Sequence, residues 1–133
     1  MWLTLFGFTA SGGFFMVQFL NSKLFKVLFI IACLVIFTMS LMPGKQLPKG
    51  LPWDKALHFI GYAGLAFLAR MGSKKHPSWQ IVVGCIGFSL LIEFLQQFIP
   101  NRGFEWLDLM ANSLGVLTGV VVGYWLKPYL IKE

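Results

Sequence analysis

A carboxylate inside an apolar run is the feature of this sequence that most needs a chemical explanation. Glu93 lies among Ser89, Leu90, Leu91, Ile92, Phe94 and Leu95. A charge near the centre of a membrane-spanning helix costs roughly 2.5–3.5 kcal/mol, and less toward its ends. Gln96 and Gln97 follow Glu93 at i+3 and i+4. Two other apolar runs carry polar residues at helical spacing: Asp54, His58 and Tyr62 at i, i+4 and i+8, and Asp108 and Asn112 at i and i+4. Each set shares one face of a helix. Arg102 lies in the short segment between the last two runs.

These residue types suit work on a phosphate. A histidine one helical turn from an aspartate is a base or nucleophile with an orienting acid. His58 and Asp54, with Glu93 and Asp108, are therefore the candidate catalytic groups. Arg102 can grip phosphate oxygens in a bidentate way, and Lys55 adds charge. Lys55, Tyr62, Gln96, Arg102 and Asn112 make up the candidate substrate-binding set. Glu93 and Asp108, backed by Asn112, offer hard oxygen ligands for Mg²⁺, Ca²⁺ or Mn²⁺, and a single well-placed histidine argues against zinc. Beyond that divalent ion the sequence names no cofactor.

Each residue also has a plainer explanation. Asp54 and Asp108 open helices, where carboxylates meet the helix dipole favourably. His58 and Tyr62 can be structural, the two glutamines can solvate a helix end, and Arg102 can be a loop cation. What favours a site is convergence: three runs bring polar groups to the same depth on the same side.

The elements that must position them are membrane helices. Of 133 residues, 57% are hydrophobic and 12% charged, against about 25% charged in a typical soluble domain. The apolar residues come in long blocks: Leu24 to Met42, closed by Pro43-Gly44; Asp54 to Met71; Trp79 to Ile99, stopped by Pro100; and Leu107 to Leu126. At about 1.5 Å per residue, each covers the ~30 Å hydrocarbon core. The predicted fold is all-α, a polytopic bundle of about four transmembrane helices over residues 24–133. Residues 1–23 stand apart. Met1 to Leu20 is apolar but broken by Ser11-Gly12-Gly13, and no basic residue precedes Lys23, so a signal peptide's charged start is missing. This stretch reads as an interfacial helix, a fifth span, or an over-extended start with Met16 as the initiator.

The net charge is +6. Lys23, Lys26, Arg70, Lys74, Lys75, Lys127 and Lys132 fall on one face. Lys45, Lys49, Lys55 and Arg102 fall on the other, near Asp54, Glu105 and Asp108. The positive-inside rule makes the first face cytoplasmic and turns the polar cluster outward. Trp53 and Trp106 then mark the outer interface, Trp79 and Trp125 the inner one. Orientation and anionic lipid account for the basic residues, and no nucleic-acid module is present. Cys33 and Cys85 sit singly in apolar blocks, which excludes a disulfide framework or zinc ribbon. Gly115, Gly119 and Gly123 recur once per turn, a pattern for close packing within the chain or for a homodimer through that face. No Walker loop, H-E-x-x-H or G-x-S-x-G occurs, and no inverted repeat points to a transporter.

With these residues in view, the stretch Asp54-Lys55-Ala56-Leu57-His58-Phe59-Ile60-Gly61-Tyr62-Ala63-Gly64-Leu65 resembles the D-K-x-x-H-x-x-x-Y-x-x-L signature of VanZ-like membrane proteins. Glu93-Phe94-Leu95-Gln96, Pro100-Asn101-Arg102-Gly103 and Asp108 to Gly115 resemble its E-x-x-Q, P-x-R and D-x-x-x-N-x-x-G parts. The likeness runs from about Asp54 to Gly119. Glu105 and Trp106 stand where the signature has small polar residues. The resemblance implies a multi-pass protein of the bacterial cytoplasmic membrane. The family is named for a protein associated with teicoplanin resistance, and has been proposed to be related to membrane enzymes that exchange lipid head groups, such as base-exchange phosphatidylserine synthases. Three expectations follow. The first is a transferase or hydrolase acting on the head group or phosphate of a lipid or lipid-linked cell-envelope precursor at the outer face. The second is a non-catalytic binder of lipid or glycopeptide precursor that contributes to teicoplanin tolerance. In the third, the polar groups only join helices, at roughly 0.6–2 kcal/mol each.

Overall fold

The computed structural model describes residues 6–8, 14–16, 21–43 and 54–131. Four helices dominate: α1 Ser22–Ser40, α2 Asp54–Gly72, α3 Ser78–Gln96 and α4 Trp106–Leu130. The predicted loop from Gly44 to Trp53, with Lys45 and Lys49, lies outside the described residues, as does Lys132.

Local chemistry sets the helix ends. The Asn21 side chain accepts from the Lys23 N–H at 2.9 Å and caps α1, satisfying one of the first-turn donors that lack a helical partner. α3 ends at Gln96, short of the predicted Ile99. The backbone N–H groups of Gln97, Phe98 and Ile99 instead reach carbonyls three residues back, which tightens the last turn. Arg102 N–H then bonds to Ile99 O at 3.1 Å across Pro100 and Asn101, and Asn101 has φ 61°. Proline first and a left-handed residue second is the pattern of a type II turn, and asparagine tolerates that conformation. α4 continues past the predicted Leu126 through Pro128, ending two residues later.

Three helices, α1, α3 and α4, are long and apolar enough to cross a membrane. On α1 the apolar side chains point outward almost all round, as a lipid-facing helix requires. On α4 the outward-facing Thr118 donates its hydroxyl to Leu114 O, a partner within the helix for a hydroxyl on an apolar face. α2 is as long as α1 and α3 but falls outside this group. Asp54, Lys55 and Arg70 dilute its apolar character. It is the best-surrounded helix, packing most extensively on α4 and next on α1.

The α2–α4 pair is parallel. Three of its polar contacts join residues 53 or 54 apart, from one end to the other: Lys55 to Asp108, His58 to Asn112, and Lys127 to Ser73. The glycine stripe makes this approach possible. A methyl group at Gly115 would run into the Phe59 carbonyl, and one at Gly119 into the Ala63 carbonyl. A methyl at Gly123 would lie 2.9 Å from Arg70 Cβ. The stripe therefore faces α2 within the chain, and a homodimer through Gly115, Gly119 and Gly123 would need a face that α2 already covers. Tyr62, Leu65, Ala66, Ile81, Cys85, Val116 and Val120 form the central core.

The N-terminal expectation needs correction. Phe6–Phe8 pairs antiparallel with Phe14–Met16, in the register Phe6 to Met16 and Phe8 to Phe14. A helix through this segment, interfacial or spanning, is not what those residues form. Ser11-Gly12-Gly13 separates two short aromatic runs in the sequence, a spacing that suits a hairpin better than a helix.

Candidate functional site

The cluster forms where α2 and α4 begin and α3 ends. Because α2 and α4 run parallel, their first turns lie side by side, and Asp54, Lys55 and His58 face Asp108 and Asn112. Lys55 Nζ is the hub. It donates to Asp108 Oδ1, lies 2.7 Å from Glu105 Oε2 and 3.6 Å from Asp54 Oδ2. The Asp108 side chain is 9% exposed, whereas those of Asp54 and Glu105 are 62% and 60% exposed. The cluster thus has a buried floor and an open rim.

His58 sits between floor and rim. Its Nδ1 lies 3.1 Å from Asn112 Oδ1, and Asn112 donates its amide N–H to Ser89 Oγ at 2.8 Å. With Asn112 oriented this way, its carbonyl accepts from the histidine Nδ1–H. A fixed hydrogen bond at one ring nitrogen defines the tautomer and aims the other. Nε2 therefore faces the carboxylates, 3.4 Å from Asp108 Oδ2 and 3.9 Å from Asp54 Oδ1. Ligand atoms of Asp54, His58 and Asp108 all lie within 4.8 Å of one another, close enough to hold one metal ion.

Glu93 joins from α3. It is 1% exposed, and its Oε2 accepts from the Glu105 backbone N–H at 3.2 Å. Among the described residues its buried Oε1 has no hydrogen-bond partner, a rare state for a polar atom.

The structure does not bring every sequence-derived candidate to this cluster. Gln96, on the same face of α3, donates to Ser40 O at 3.0 Å and ties α3 to the end of α1. Arg102 donates from Nε to Met42 O at 3.3 Å, so the turn before α4 rests on the chain just past the end of α1. Tyr62 is buried in the core beside Ser89, and its hydroxyl has no hydrogen-bond partner among the described residues. Of the paired metal ligands expected, Asp108 belongs to the three-residue group, and Glu93 does not.

Two participants were not among the candidates. Ser89 lies one turn before Glu93 on the same face of α3, and that spacing was the available signal. Glu105 read as a departure from a signature. It precedes Asp108 by three residues, which is enough to place both carboxylates around one lysine.

A family profile described as VanZ/LLP1 matches residues 1–127. No curated protein and no solved structure matches the chain.

Proposed function

This chain belongs to the VanZ/LLP1 family, and from that premise we propose that it acts on the phosphate-bearing head group of a lipid or lipid-linked cell-envelope precursor. In this reading all four helices cross the bacterial cytoplasmic membrane, and the cluster opens to its outer face. The observation that carries the reading is His58, whose Nδ1 is engaged by Asn112 while Nε2 faces an open, acid-lined end of the bundle.

The proposed chemistry is transfer or hydrolysis of a phosphodiester. His58 Nε2 takes the proton of an attacking alcohol or water as its oxygen bonds to phosphorus. The P–O bond to the leaving oxygen breaks, and the imidazolium returns the proton to that oxygen. Asp108, on the buried side, stabilises the imidazolium between the two transfers.

Charge decides what else is needed. Asp54, Glu105 and Asp108 surround one lysine, so a bare phosphate would meet net negative charge. Asp54 and Asp108 are hard oxygen donors suited to Mg²⁺, Ca²⁺ or Mn²⁺. Such an ion, when bound, supplies the positive charge that phosphate oxygens require. His58 then remains free for the proton.

One observation favours a second reading. Lys55 ties Asp54, Glu105 and Asp108 together, so the cluster can stand as a clamp for a head group or a glycopeptide precursor without turnover, as in a protein of teicoplanin tolerance. The test is mass spectrometry of total membrane lipids from cells making the wild type, His58→Ala or Asp108→Asn at equal membrane level. A head-group change made by the wild type alone supports the enzyme. Identical lipids in all three would remove the catalytic role and leave the clamp.

A further inference from the structure

A second feature lies at the opposite end of the bundle and makes no use of the polar cluster. α1 and α3 both pack across α2 but scarcely touch each other. Between them lies a cleft of about 310 Å³, at the small end of the roughly 300–1,000 Å³ typical of ligand sites. Its walls are apolar, from Phe29 on α1, Leu68 and Ala69 on α2, and Ile81 and Gly84 on α3. Its mouth is polar: Lys26, Ser73, His76 and Gln80.

Charge indicates the occupant. Lys74 and Lys75 are exposed next to this mouth, in the turn from α2 to α3. Among the described residues, the acidic side chains are Asp54, Glu93, Glu105 and Asp108, and all belong to the other end. Nothing acidic described here neutralises the mouth. The Gln80 carbonyl oxygen pairs with His76 Nδ1 at 3.0 Å, so its amide nitrogen still has protons to offer an anion. Gly84 leaves the wall open, since a Cβ there would meet nothing within 4 Å. The glycines at 115 and 119, by contrast, lie directly against α2 backbone.

We propose that this cleft holds one anionic phospholipid, with an acyl chain between α1 and α3 and its phosphate at the Lys26–His76–Gln80 mouth. An apolar slot at membrane depth takes a chain, and a lysine-rich mouth at the interface selects the charge of the head group.

The test is native mass spectrometry of the purified full chain, given phosphatidylglycerol and phosphatidylcholine in equal amounts. The wild type should retain one phosphatidylglycerol in clear preference. Gly84→Leu fills the slot and should cut retention at least ten-fold while its elution from a sizing column stays unchanged. Lys26→Gln, at an exposed position, should weaken the preference about five-fold, the value of one basic residue near a lipid surface. This charge variant decides the matter even if Gly84→Leu fails to fold. Equal retention of the two lipids by the wild type would overturn the proposal. So would undiminished phosphatidylglycerol on a folded Gly84→Leu, or an unchanged preference in Lys26→Gln.

Discussion

α4 meets α2 and α1 meets α3 in opposite ways. In the first seam, glycines let two backbones touch, and polar contacts at both ends hold the pair in one register. In the second, two helices stand apart over a third and leave a cleft. Lipid tails are as apolar as leucine, so no hydrophobic force draws membrane helices together, and contact depends on close packing and hydrogen bonds. The second seam has a polar link at one end, Gln96 to Ser40 O, and stays open at the other as the cleft. Here the closed seam carries the chemistry-bearing side chains, and the open one carries space.

The widest contrast should come from one substitution made in both seams. Gly119→Leu places a side chain where the Ala63 carbonyl already sits. It should prevent accumulation of monodisperse protein, as read by sizing chromatography of a fluorescent fusion. Gly84→Leu should leave accumulation at the wild-type level. If both variants behave alike, the two seams do not differ as described.

A large effect is also expected at the polar end. His58→Ala should lower any head-group turnover by about 10²–10⁴-fold at unchanged membrane level, measured by product formation in isolated membranes. A smaller effect should follow from Asn112→Ala. It removes the partner of His58 Nδ1 and leaves Ser89 unpaired. The thermal transition in detergent should fall in line with about 1–3 kcal/mol. The least effect belongs to Gln96→Ala, which unties α3 from Ser40 O. Hydrogen bonds of this kind average about 0.6 kcal/mol, so the melting shift should be close to the limit of detection. A larger drop would show that α1 depends on that link.

Much of the site was legible because membrane helices are regular. Once Asp54 and Asp108 open two helices at the same face, His58 and Asn112, each four residues on, must lie at equal depth. Glu93 followed from its misfit with its neighbours. What could not be read was lateral arrangement. Hydropathy gives depth but not which helix touches which, so the parallel α2–α4 pair had no signal beyond the glycine stripe, which favoured packing within the chain but did not name the partner helix. Arg102 and Gln96 have the right depth, yet turn toward α1. The aromatic pair at Phe6–Phe8 and Phe14–Met16 was missed because apolar length suggested helix, although Ser11-Gly12-Gly13 was in view.

The parallel run of α4 along α2 has a consequence for how the chain tolerates insertion. Asn112, Gly115, Gly119 and Gly123 all meet α2 from one continuous helix, α4, so the histidine site and the glycine contacts share one helical face. One alanine inserted between Asn112 and Gly115 would rotate all that follows by about 100°, turning the glycines away from α2 while His58 kept its partner. Four inserted residues add roughly one full turn and bring the faces back near alignment. The spacing of Asn112 from Gly115 is thus a phase setting that joins the polar end of the molecule to the seam below it.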